Sequence, residues 1–166
     1  MPLAVPEFLV PLLARPVAIF GAGVSGEGLR ALLAALGAEA TIYDAKPGRG
    51  VDFTATAARQ HGLAIFSPGF APEHPWLALA RTAGAKCLGE LDFASLFWRG
   101  RLIAITGTND KTTLTEFLTH ALRSIGEDAR ATGNIGDPFS RHVVMTGAGG
   151  KDAFAICEVS SFQSEC

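Results

Sequence analysis

The chain has 166 residues, 48% hydrophobic and 18% charged, with a formal net charge of −2. That is enough apolar material for one large domain or two small ones, and the charge makes no electrostatic case for nucleic acid or an anionic membrane surface. Pro2, Pro6, Glu7, Pro11 and Arg15 break up the apolar N-terminal residues, so neither a signal peptide nor a membrane insertion is expected. Cys87, Cys157 and Cys166 show no C-x-x-C spacing, which suits reduced thiols and a cytoplasmic location. His61, His74, His120 and His142 are scattered; surface or helix positions are expected for them, with no metal site.

In chain order, the apolar run VAIF (17–20) enters Gly21-Ala22-Gly23-Val24-Ser25-Gly26. Leu29, Leu32, Leu33 and Leu36 follow at helical spacing, and Gly37 ends the segment. ATIYD is the next strand, and its Asp44 lies 18 residues after Gly26. This is the dinucleotide fingerprint: the glycines permit a tight turn and close approach of a diphosphate, and the acid can accept hydrogen bonds from sugar hydroxyls. On these residues alone, NAD or FAD is the favoured ligand. LAIFSPGF (63–70) predicts a third strand ending in Ser67-Pro68-Gly69, at the edge where open parallel sheets place ligands. A helix over 74–85, a short strand AKCLGE and a helix over 90–98 complete this unit, with Phe93, Phe97 and Trp98 expected in core packing. The pattern restarts around Trp98-Arg99-Gly100-Arg101, which divides the chain into 1–99 and 100–166.

The second unit opens with an apolar strand (102–106), a glycine-led polar turn and a long helix from Thr112. That order puts backbone N–H groups at a helix N-terminus, where an anion is favoured. Lys111 would reach the outer phosphates of a nucleotide, and the Thr112 hydroxyl would hold Mg²⁺. A working loop of this kind has glycine just before the lysine, and here that position is Asp110. A carboxylate about 5 Å from a phosphate charge is opposed by roughly 3 kcal/mol at an effective dielectric near 20, so weakened ATP binding is expected. A strand near 128–132 leads into GNIG, and a polar glycine stretch (146–153) precedes the strand FAICEVSS. Its Glu158 can hold metal against phosphate oxygens if that strand neighbours the loop strand. The alternative for Glu158 is a carboxylate bonded to Ser160 or Ser161.

Three ordered motifs, AITGTNDKTT (104–113), TGNIGDP (132–138) and ICEVSSFQ (156–163), together resemble the Mur ligases, the ATP-dependent amide-forming enzymes of peptidoglycan synthesis, in the pattern of their MurD type. The resemblance implies an α/β chain: a Rossmann-like parallel-sheet N-terminal domain over 1–99 that binds a UDP substrate, then the truncated start of a P-loop central domain over 100–166. It implies joining of D-glutamate to UDP-N-acetylmuramoyl-L-alanine through an acyl phosphate, with ATP and Mg²⁺. Carried over by motif, Val24 and Ser25 fall in the diphosphate loop, and Asp44, Ala45 and Lys46 lie where the family contacts uracil and ribose. Ser67, Pro68 and Gly69 match its uridine contact, and Asn134 touches the muramoyl group. Gly107, Thr108, Asn109, Asp110, Lys111, Thr112 and Thr113 form the ATP loop; Thr112 and Glu158 bind Mg²⁺, and Lys111 and Glu158 act in catalysis. A Mur ligase runs well beyond 166 residues, so the chain alone is expected to be inactive. A non-catalytic UDP-sugar or dinucleotide-binding module is the alternative that Asp110 favours. An NAD-dependent oxidoreductase fits 17–45 but leaves 104–163 unexplained.

Overall fold

The structure is a computed structural model and describes residues 3–46, 48–71 and 73–160. A 3₁₀ turn (Glu7–Leu9) and helix α1 (Val10–Leu13) precede the first sheet and contribute the fully buried Leu9 to its core. That sheet holds β1 (Val17–Phe20), β2 (Ala40–Tyr43), β3 (Leu63–Phe66) and β4 (Lys86–Gly89) in the order β2-β1-β3-β4, all parallel. The central strands β1 and β3 are buried along their whole length, as continuous apolar runs covered on both faces must be. Helices α2 (Val24–Ala35), α3 (Ala55–Ala58), α4 (Pro75–Thr82) and α5 (Glu90–Ser95) pack on the two faces.

A second parallel sheet takes β5 (Arg101–Ile105), β6 (Ala129–Gly133) and β7 (Phe154–Glu158) in the order β5-β7-β6. Helix α6 (Lys111–Ser124) lies over it, and α7 (Phe139–Met145) connects β6 to β7. No assignment for 139–145 is legible from periodicity, yet these residues form a helix whose Phe139 and Val143 are fully buried.

One core cluster joins the two sheets: Val17, Ile19, Leu29, Leu33 and Phe93 pack with Phe139, Val143, Ala155 and Cys157. Burying each large side chain contributes about 1.5–3 kcal/mol, so this seam holds the sheets as one packed body. Phe20, Tyr43, Phe53, Trp76 and Leu77 fill the other face of the first sheet, and Ile105, Phe154 and Ile156 lie beneath α6. Phe93 and Phe97 are core residues as expected, and the Trp98 ring packs edge-on to Phe139 at 5.7 Å.

One histidine, His61, departs from the expected surface or helix placement, and a second, His142, sits on a helix as expected but is buried. His61 is buried, bridging the Tyr43 hydroxyl and the Pro16 carbonyl at 2.7 Å each. His142 is buried on α7, and that burial pushes its pKa down. Among the described residues Cys87 and Cys157 are free thiols, and burial pushes Cys157 up to about 12, which makes it a packing residue. Cys166 lies outside the described residues.

Candidate functional site

All four strands of the first sheet point the same way, so the loops after β1, β2 and β3 meet at one edge. The first loop turns at Gly21, whose φ of +102° is open to glycine, and its N–H donates to the Tyr43 carbonyl at 2.8 Å. Helix α2 can seat only because residue 26 is glycine: a Cβ there would lie 1.9 Å from the Gly21 carbonyl oxygen. Val24 and Ser25 occupy its first turn.

Asp44 closes β2 and knits two loops. One carboxylate oxygen accepts the Ala22 N–H and the other the Lys46 N–H, each at 2.8 Å. These bonds, Ala22's first, hold the carboxyl below the usual aspartate range. After β3, the Ser67 N–H donates to the Phe20 carbonyl at 3.0 Å. The Ser67 hydroxyl is buried beside Gly21 and has no hydrogen-bond partner among the described residues.

The second sheet supplies the opposite wall. Asn134 follows β6 and lines, with Gly133, Gly136 and Pro138, the same cavity of about 610 Å³ as the three loops. Val24, Ser25, Asp44, Ala45, Lys46, Ser67, Pro68, Gly69 and Asn134 all line it. Arg49 and Phe70 line it as well and were not nominated by motif. A cation in the glycine-flanked segment Gly48-Arg49-Gly50, just past the acid of β2, was the available signal for Arg49. With Lys46 it puts positive charge at the rim, suited to a diphosphate.

The loop between β5 and α6 lies outside the lining of that cavity. Thr108, Asn109, Asp110, Thr112 and Thr113 are exposed there. Gly107 has φ +152°, and Asp110 caps α6 in the left-handed conformation, φ 58° and ψ 13°. Asp visits that region at modest cost, so the turn survives the missing glycine, and the Asp110 carbonyl accepts the Leu114 N–H at 3.0 Å. Lys111 folds back, donating from Nζ to the Gly107 carbonyl at 2.8 Å.

Glu158 ends β7, which lies between β5 and β6. Its carboxylate accepts the Thr112 hydroxyl at 2.7 Å. A hydroxyl and a carboxylate side by side are hard oxygen donors, the set Mg²⁺ takes. Ser161, Phe162 and Gln163, the end of the third motif, lie outside the described residues.

No protein-family model matches the chain. It is 33% identical over 147 residues to the UDP-N-acetylmuramoylalanine–D-glutamate ligase of Aquifex aeolicus (strain VF5), covering 89% of the chain and 34% of that protein. To the ligase of that name from Rhizobium etli (strain ATCC 51251 / DSM 11541 / JCM 21823 / NBRC 15573 / CFN 42) it is 38% identical over 144 residues, covering 74% of the chain and 30% of that protein. The crystal structure of UDP-N-acetylmuramate:L-alanyl-gamma-D-glutamyl-meso-diaminopimelate ligase from Neisseria meningitides matches with a TM-score of 0.52 at 17% identity, over 89% of this chain and 55% of that one, a likeness of fold. The chain is thus a homologue of the MurD-type Mur ligases, spanning about a third of the length of these curated relatives.

Proposed function

We propose that this chain forms the UDP-substrate-binding part and the start of the ATP-binding part of a cytoplasmic ligase that joins D-glutamate to UDP-N-acetylmuramoyl-L-alanine in peptidoglycan synthesis. The observation that carries this reading is the cavity: loops from three parallel strands and the Asn134 loop of the second sheet converge on it. In this reading 1–99 is a Rossmann-like unit and 100–166 the beginning of a P-loop unit.

The chain's own residues then have distinct tasks. Lys46 and Arg49 attract the diphosphate, Ser67 lines the cavity with its hydroxyl tucked beside Gly21, and Asp44 orders two of the loops while offering free lone pairs to a sugar hydroxyl. Lys111, bonded here to the Gly107 carbonyl, would meet phosphate oxygens, and Thr112 and Glu158 would hold Mg²⁺, which would neutralise charge on the transferred phosphoryl group. ATP with Mg²⁺ supplies the phosphoryl group that activates the substrate carboxylate. Lys111 and the N–H groups at the start of α6 balance charge on that group as it moves.

The second reading, a UDP-sugar-binding module without catalysis, draws on Asp110 in the loop. Calorimetric titration with UDP-N-acetylmuramoyl-L-alanine, NADH and ATP with Mg²⁺ separates the possibilities. UDP-sugar binding is expected to be the tightest. Tighter binding of NADH would overturn both readings in favour of a redox enzyme. UDP-sugar binding without measurable ATP binding would favour the module.

A further inference from the structure

Glu90 belongs to none of the motifs and does not line the cavity, yet this carboxylate is only 2% exposed. It opens α5 in the first unit, and its Oε1 accepts the N–H of Ser140, 50 residues further on, at 2.6 Å. Ser140 is in the first turn of α7, where N–H groups have no intrahelical acceptor. Pro138 holds the N-cap position of that helix and offers no side-chain cap. Glu90 therefore does from a distance what a capping side chain does locally.

The opposite side of the same turn is equally tight. A Cβ on Gly28 of α2 would lie 2.6 Å from Ser140 Oγ and 3.0 Å from the Pro138 ring. The Asp137 carbonyl in turn accepts the Gly133 N–H at 3.1 Å and the Thr132 hydroxyl at 2.7 Å. The segment from Gly133 to Pro138 is thus closed on itself and leads directly into α7, and it is the segment that walls the cavity.

We propose that Glu90 is a positioning residue for the cavity: by seating the first turn of α7 it fixes the Gly133–Pro138 wall against the loop at the start of α2. A buried carboxylate is a poor choice for stability alone. Burial pushes its pKa up, the Ser140 side chain and N–H offset only part of that, and the neighbouring Asp92 adds a smaller push upward. An apolar residue of similar size would pack without that penalty but would leave the Ser140 N–H unpaired.

The proposal rests on the UDP-sugar reading of the cavity, so its test has two separable parts. Amide hydrogen exchange across 132–140 and titration with UDP-N-acetylmuramoyl-L-alanine are measured for the full chain, Glu90→Ala and Glu90→Gln. Glu90→Ala is expected to speed exchange in 133–140 about tenfold, leave β1 and β3 protected, and weaken UDP-sugar binding about tenfold. Glu90→Gln keeps an acceptor oxygen and is expected to stay within about twofold of the parent chain in both. A Glu90→Ala chain that melts lower but keeps parental loop exchange and affinity would overturn the proposal, because Glu90 would then only pack. If the parent chain binds no UDP-sugar, the reading of the cavity fails, while the exchange data still decide the seating of α7. If Glu90→Ala does not fold, Gly28→Ala presses on the same turn from α2, and unchanged exchange in 133–140 there would sink the idea.

Discussion

The Thr112 hydroxyl donates to the Glu158 carboxylate at 2.7 Å, while the Glu158 main-chain carbonyl accepts the Asn134 N–H at 3.0 Å. One residue therefore holds the start of α6 with its side chain and the wall of the cavity with its backbone. The strand order makes this geometry follow: Ile105 and Gly133 both pair with Glu158, so the loops after β5 and β6 emerge on either side of it.

Thr112→Val removes the donor and keeps the shape. Glu158 is 7% exposed, so its carboxylate would lose a partner it cannot fully replace with water. Hydrogen bonds to charged groups are worth about 1.5–3 kcal/mol, and a loss of that order is expected in urea denaturation. Parental stability would show that water reaches Glu158 freely.

Asp44→Ala removes the acceptor of both the Ala22 and the Lys46 N–H groups. UDP-sugar affinity is expected to fall by about 1–3 kcal/mol, or roughly 5–150-fold, in calorimetry. Because the folded carboxyl is held below the usual aspartate range, its stabilising contribution is present above that range and is lost as pH falls through the depressed value. Loop order and affinity should therefore hold into mildly acidic solution. An Asp44→Ala chain with parental affinity would remove this residue from the site.

Much of this was legible in the sequence for a simple reason. VAIF and LAIF are continuous apolar runs, the pattern of strands buried on both faces, and parallel strands send their C-terminal loops to one edge. Glycine turns then placed Val24, Asp44 and Ser67 at that edge. The helix at Phe139–Met145 was hidden because it is seven residues long and only Phe139 and Val143 mark its fully buried apolar face. So short a helix depends on tertiary packing. Glu90 has no role legible beyond its place in the helix expected over 90–98, because its partner, Ser140, comes from a segment with no legible structure. His61 shows the same limit: nothing local to it announces that Tyr43 and Pro16 will enclose it.

Glu90→Gln should change the pH dependence of stability. The folded carboxyl titrates above the ordinary glutamate range, so Glu90 favours the fold most when protonated at acidic pH. That contribution is lost as pH rises through the raised value. The neutral amide escapes this loss. Thermal melts are expected to coincide for the two chains at acidic pH and to separate near neutrality, with Glu90→Gln melting higher. A Glu90→Gln chain melting lower at neutral pH would mean that the charge itself, at the N-terminus of α7, outweighs its desolvation.

Asp110→Gly tests the loop before α6. The substitution suits the observed backbone, since φ 58° and ψ 13° lie in the left-handed region that glycine enters without a Cβ penalty. Stability should therefore change little: relief of that strain is offset by the extra freedom of glycine in the unfolded chain. The larger effect is electrostatic. Asp110 precedes Lys111, and in the proposed reading its carboxylate faces phosphate charge with no side-chain cap bond to hold it away. Roughly 3 kcal/mol of opposition per charge pair, partly offset by Lys111 and Mg²⁺, leaves an expected gain of one to two orders of magnitude in ATP affinity for Asp110→Gly. Calorimetry with ATP and Mg²⁺ at two salt concentrations reads both parts of the argument, because screening should narrow the gap between the chains. Equal affinities at low salt would show that Asp110 turns its charge to solvent and that the loop tolerates it.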